Sequence, residues 1–122
     1  MGRWGEDLAA SYLTGLGWTI LDRNWHCRAG EIDIVAAEPG PAVADGAGGS
    51  RLVVVEVKTK SGPGYGDPLE AITVAKTRRL GRLAQWWQHC HPGVPGNLRL
   101  DAVGVTKIAG QAPLLRHVRG LT

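Results

Sequence analysis

Apolar residues recur at helical spacing across residues 5–16, GEDLAASYLTGL, where Leu8, Ala9, Tyr12, Leu13 and Leu16 share a side. GLGW supplies the stop. The pattern then changes to a period of two. WTILDRNW (18–25) and GEIDIVAA (30–37) are expected as strands, the second with Ile32 and Ile34 on one face and Glu31, Asp33 and Val35 on the other. A third strand ends in VVVEVKTK (53–60) and is expected to pair antiparallel with the second. Its Leu52, Val54, Glu56 and Lys58 share one face, and Val53, Val55, Val57 and Thr59 the other. A strand apolar on both sides therefore closes on a carboxylate and an ammonium two residues apart.

Between the second and third strands, EPGPAVADGAGGS (38–50) is rich in Gly, Ala and Pro and is expected as a flexible hairpin loop. Neither side of it is large enough to fold alone, so residues 1–122 are expected to form a single domain. After the loop SGPGYGD, Asp67-Pro68-Leu69-Glu70 resembles a capping box with proline in the first turn, and Thr73 offers a second helix start. The long helix is expected to run to about His89, burying Leu80, Leu83, Ala84 and Trp87. LRLDAVGVT (98–106) and PLLRHV (113–118) complete the strands, the last weakly. This order predicts an α/β sandwich, a mixed sheet of about five strands flanked by helices.

Composition narrows the class. No apolar run approaches the roughly 20 residues of a membrane helix, so no membrane partner is expected. MGRWGEDLAAS lacks the apolar stretch of a signal peptide, which makes the cytoplasm the expected location. The net charge of +3 is mild, and compatible with a polyanionic partner without requiring one. Cys27 and Cys90 are isolated, and are expected as inert thiols.

The chemistry concentrates in charges on core elements. Glu6 precedes Ala9, Ala10 and Leu13 at helical offsets, which places it near the packed face; a first-turn glutamate favoured by the helix dipole is the simpler account. An isolated E-x-K is most simply an ion pair at a strand end. Asp33 on the neighbouring strand changes that balance, because a hairpin register could bring it to Glu56, and two adjacent carboxylates repel unless a cation lies between them. Such oxygen ligands suit Mg2+ or Mn2+, and Lys58 could stabilise charge on a phosphate or help position a water.

The helix carrying "GE", then GEIDIV, VVVEVKTK, YGDPLEAITVAKTRRL and LRLDAVGV in fixed order together resemble the YraN-like family of small bacterial proteins. That family is similar to the PD-(D/E)XK nuclease-like superfamily, whose fold is shared by Holliday-junction resolvases and restriction endonucleases. The resemblance covers nearly the whole chain. It implies a metal-dependent phosphodiesterase acting on DNA, including branched or damaged DNA, with the motif aspartate on Asp33, the E-x-K on Glu56 and Lys58, and the helical acid on Glu6. Mg2+ or Mn2+ would then be held by Asp33 and Glu56. A homodimer is compatible with the resemblance, since junction-cleaving relatives work in pairs. A nucleic-acid binding module with little or no turnover is the alternative, and a protein-interaction domain whose charges form ion pairs has no positive support.

Lys76, Arg79 and Arg82 fall on one side of the long helix, with Lys58 and Lys60 nearby, and are expected to face phosphates. A solvated helix face explains the charges equally well; the resemblance raises Lys76 and Arg79, which stand in its KxRRL segment. Tyr65 and Trp86 could stack on bases, although adjacent Trp86 and Trp87 divide more simply between surface and core. Glu31 shares the expected face of Asp33 as a weaker candidate. Asp101, between apolar neighbours, is expected to be structural. HCH (89–91) lacks a second ligand pair for zinc, and His26 and His117 carry no specific signal.

Overall fold

A computed structural model describes residues 2–40, 50–62, 66–94 and 97–121. Positions 41–49 of the expected flexible loop, and Tyr65, lie outside the described residues. The elements follow in the order α1 (Gly2–Gly15), β1 (Thr19–Cys27), β2 (Gly30–Glu38), β3 (Arg51–Ser61), a 3-10 turn (Pro68–Ala71), α2 (Val74–Cys90), β4 (Leu98–Lys107) and β5 (Leu114–Arg119). The five strands form one sheet in sequence order. All neighbouring pairs are antiparallel except β3 and β4, which are parallel and joined by a crossover through α2. With helices packed on both faces, this is the expected restriction-endonuclease-like sandwich.

The central strand explains its own composition. Leu52, Val53, Val54 and Val55 are all fully buried because β3 is covered on both sides. Val53 and Val55 join Ala9, Leu13 and Trp18 under α1, whereas Leu52 and Val54 join Leu80, Leu83, Ala84 and Trp87 under α2. Each such aliphatic side chain contributes on the order of 1.5–3 kcal/mol by leaving water. Both helix starts form: the Asp67 carboxylate accepts from Leu69 N–H, and the Thr73 hydroxyl accepts from Lys76 N–H. The extended Ile72 and Thr73 separate the short turn from the long helix.

One expectation about faces is overturned. Ile32 lies in the α2 core with Val35, while Ile34 lies in the α1 core, so these isoleucines are on opposite sides of the sheet. Strict alternation breaks at Asp33. The β2–β3 pairing runs from Glu38↔Arg51 to Ile34↔Val55 and goes no further. There the Asp33 Oδ2 accepts the Val57 N–H at 2.8 Å, taking the place of a ladder carbonyl as the strands part. The neighbouring strand accommodates the same kink through Asn24, which has φ +53°, a left-handed conformation that asparagine tolerates better than most residues.

Candidate active site

Glu6 is 6% exposed, one of few buried acids, and the start of α1 at Gly2 puts it beyond the first turn. The helix-dipole account of this glutamate therefore does not apply. Its position depends on Gly5, where a Cβ would collide with Thr59 Oγ1 of β3, so only glycine lets the helix lie this close to the strand. Glu6 Oε1 accepts from Arg23 Nε at 3.0 Å and from Asn24 Nδ2 at 2.8 Å. The kink in β1 makes this possible, because both consecutive residues reach the α1 side.

Asp33 turns into the same space. A cleft of about 450 Å3 on the α1 side is bordered by Arg3, Glu6, Asn24, Asp33 and Thr59. Burial, reinforced by the Glu56, Glu6 and Glu31 carboxylates, pushes the Asp33 carboxyl up to about 7 against the opposing hydrogen bond from Val57 N–H. Among the described residues no cation pairs with Asp33 to offset the neighbouring carboxylates.

Glu56 and Lys58 keep the alternation of β3 and face α2. They form an ion pair at 3.4 Å, both side chains about three-tenths exposed. They line a second cleft with Lys76, Thr77 and Arg79 of α2. The register ends at Ile34↔Val55, one residue short of the Asp33–Glu56 pairing that the sequence suggested. The kink directs the two carboxylates to opposite flanks of the same strand end, and exposed Glu31 borders both clefts. Among the described residues no three His, Cys, Asp or Glu side chains are grouped closely enough to hold a metal ion as a ready-made cage.

The basic residues divide. Lys76 and Arg79 reach the α2-side cleft, where Lys76 Nζ donates to Ala71 O at 3.0 Å and Arg79 Nη2 donates to Ala29 O at 3.2 Å. Arg79 thus straps the β1–β2 turn to α2 and is not simply solvated. Lys60 Nζ donates to Gly66 O at 3.0 Å, outside both clefts, and Arg82 is exposed outside both as well. Trp86 is exposed, and Trp87 is core.

Asp101 is structural, as expected. Burial would raise it, but hydrogen bonds from His117 and Arg99 outweigh burial and hold its carboxyl below the usual range. His117, silent in the sequence, bridges Asp101 at 2.8 Å and the Tyr12 hydroxyl at 3.0 Å. His91 stacks on Trp87, which accounts for one member of HCH. Arg3 and Asn24, which border the cleft, and Arg23, which holds Glu6 from behind it, are residues that periodicity misses. The only signal in the chain is an asparagine inside a strand pattern, where that residue is depleted.

The profile of "Uncharacterised protein family UPF0102" matches residues 5–105 of this chain. A UPF0102 protein of Streptomyces coelicolor is 48% identical over 99% of this chain and 87% of its own length. One from Clavibacter michiganensis is 46% identical over 98% of this chain and 92% of its own. A Rhodococcus opacus member is 44% identical over 98% and 92%.

Proposed function

This chain belongs to the UPF0102 family, and from the geometry at the end of β3 we propose that it is a metal-dependent endonuclease hydrolysing phosphodiester bonds in DNA. The observation carrying this reading is Asp33: a carboxyl at the point where β2 parts from β3, pushed up to about 7 by burial and the Glu56, Glu6 and Glu31 carboxylates, and paired with no cation among the described residues. An all-oxygen acidic site of this kind fits a hard divalent cation such as Mg2+ or Mn2+. Asp33 and Glu56 would hold it, and when bound it would neutralise charge on the phosphate and lower the pKa of a coordinated water.

The chain's own groups account for the rest. Val57 N–H fixes one oxygen of Asp33, leaving the other to face the cleft. Glu6, clamped by Arg23 and Asn24, is a rigid carboxylate suited to orient the attacking water and accept a proton. Water attacks phosphorus, the bond to the leaving sugar oxygen breaks, and the Lys58 ammonium stabilises the charge that builds on the phosphoryl oxygens. Lys76 and Arg79 border the approach and would bind the phosphate backbone, which carries no sequence information.

The alternative, a nucleic-acid binding module with little or no turnover, draws support from the separation of Asp33 and Glu56 into two clefts. Calorimetry with Mn2+ and a cleavage screen over branched, nicked, single-stranded and duplex DNA decide between them. The nuclease reading expects metal binding lost in Asp33→Asn and Glu56→Gln, together with cleavage of at least one substrate. No cleavage across the screen, with salt-dependent DNA binding retained, establishes the alternative. In either case Lys76→Ala and Arg79→Ala should weaken binding on all sequences alike and reduce the slope of log affinity against log salt by about one each.

A further inference from the structure

Resting on the phosphodiesterase reading, we propose that the α2-side cleft receives an unpaired nucleobase of the nucleic acid, beside the bond being cut. The cleft has two chemically different parts. Glu56 and Lys58 form one wall, but the floor is aliphatic, made by Ile72, Leu80, Leu83 and Leu121. A phosphate backbone gains nothing from such a floor, because its charged oxygens would lose water against groups that cannot hydrogen-bond. A base gains by burying its faces there.

Size selects the ligand. The cavity holds about 190 Å3. An apolar cavity of about 150 Å3 accepts benzene, and drug-sized ligands occupy about 300 Å3 or more. One heterocycle fits, whereas a whole nucleotide does not, so sugar and phosphate stay at the mouth beside Lys58. Around that floor the cleft also carries acceptors, Glu31, Glu56 and the Thr77 hydroxyl, beside the donors Lys58, Lys76 and Arg79, so the polar edge of a base meets groups of both kinds while Lys76 and Arg79 remain at the phosphate. The Arg79 guanidinium also offers a plane for stacking.

A base inside a continuous duplex must be unstacked to enter, at a cost of a few kcal/mol that is smallest where the base is already unpaired. The substrate class that follows is DNA with an unpaired nucleotide at the cleavage point, such as a bulge, a flap or a junction, and not a continuous duplex.

The test uses a duplex carrying a single bulged 2-aminopurine, and the same duplex fully paired, with Ca2+ supplied in place of Mg2+ and DNA integrity checked on a gel. The bulged probe should gain fluorescence on binding and bind about five- to a hundredfold more tightly than the paired one at equal salt. Ile72→Trp and Leu121→Trp fill the cleft from different walls. Whichever retains the thermal unfolding of the wild type should bring the bulged probe down to the affinity of the paired one. Equal affinity and unchanged fluorescence for the two wild-type complexes would overturn the pocket, as would a filled cleft that keeps the preference. Cleavage dependent on Asp33 and Glu56 without any bulge preference refutes the pocket alone. A bulge preference in a protein that cuts no DNA refutes the phosphodiesterase reading alone.

Discussion

Lys58 and Asp33 carry the most separable effects of any single side chains. The Lys58 ammonium sits 3.4 Å from Glu56, and the proposed mechanism needs it more as charge builds on phosphorus than in ground-state binding. Lys58→Met keeps much of the stem, so folding and metal affinity should persist while single-turnover cleavage falls on the order of a hundredfold or more. Cleavage at the wild-type rate would remove the lysine from the mechanism. Asp33 makes a pH prediction. Between the ordinary aspartate range and about 7, the folded protein holds a proton on Asp33 that the unfolded chain has released. Metal-free stability should therefore fall as pH rises through that window and level off above it. Asp33→Asn should flatten the slope and leave neutral-pH stability level or higher, as followed by chemical unfolding at several pH values. A large loss of metal-free stability in the variant would instead mark Asp33 as one member of a stabilising pair.

At the scale of elements, the site depends on how closely α1 lies against β3 and on where β2 leaves it. The contact of Gly5 with Thr59 is too close for a side chain. Gly5→Ala should thus cost about 1–3 kcal/mol by overpacking, despite the better helix propensity of alanine. In a Thr59→Ala background the same change should become neutral or stabilising, a coupling that a double-mutant cycle in denaturant measures directly. Additive effects would mean that the helix shifts freely, and that Glu6 is not held by this contact. Most elements were legible because their signals are local: the caps at Asp67 and Thr73, the 3.6-residue spacing of Leu80, Leu83, Ala84 and Trp87, and the apolar run of β3. The kink at Asp33 was not legible. A period-two pattern assumes an unbroken ladder, and here the aspartate itself replaces a carbonyl in the ladder.

Over the whole molecule, two acids pull stability in opposite directions along the pH scale. Asp101, held below the usual range by His117 and Arg99, contributes stability above the ordinary aspartate value and loses it as pH falls further. Asp33 does the reverse up to about 7, so the metal-free protein should be most stable under mildly acidic conditions. Asp101→Ala, which leaves buried partners unpaired, should cost about 3–5 kcal/mol in thermal or chemical unfolding without changing metal binding. The sequence by itself determined the order of elements, the two-faced core of β3, and the acids and lysine that mark one strand end, because hydrophobic period, caps and family motifs are written in neighbouring residues. The tertiary structure alone decided that Arg23 and Asn24 clamp Glu6, that His117 joins Tyr12 to Asp101, and that Asp33 and Glu56 open to different clefts. Those contacts join residues far apart in the chain or hinge on a strand that leaves its partner, and no local periodicity records where a ladder ends.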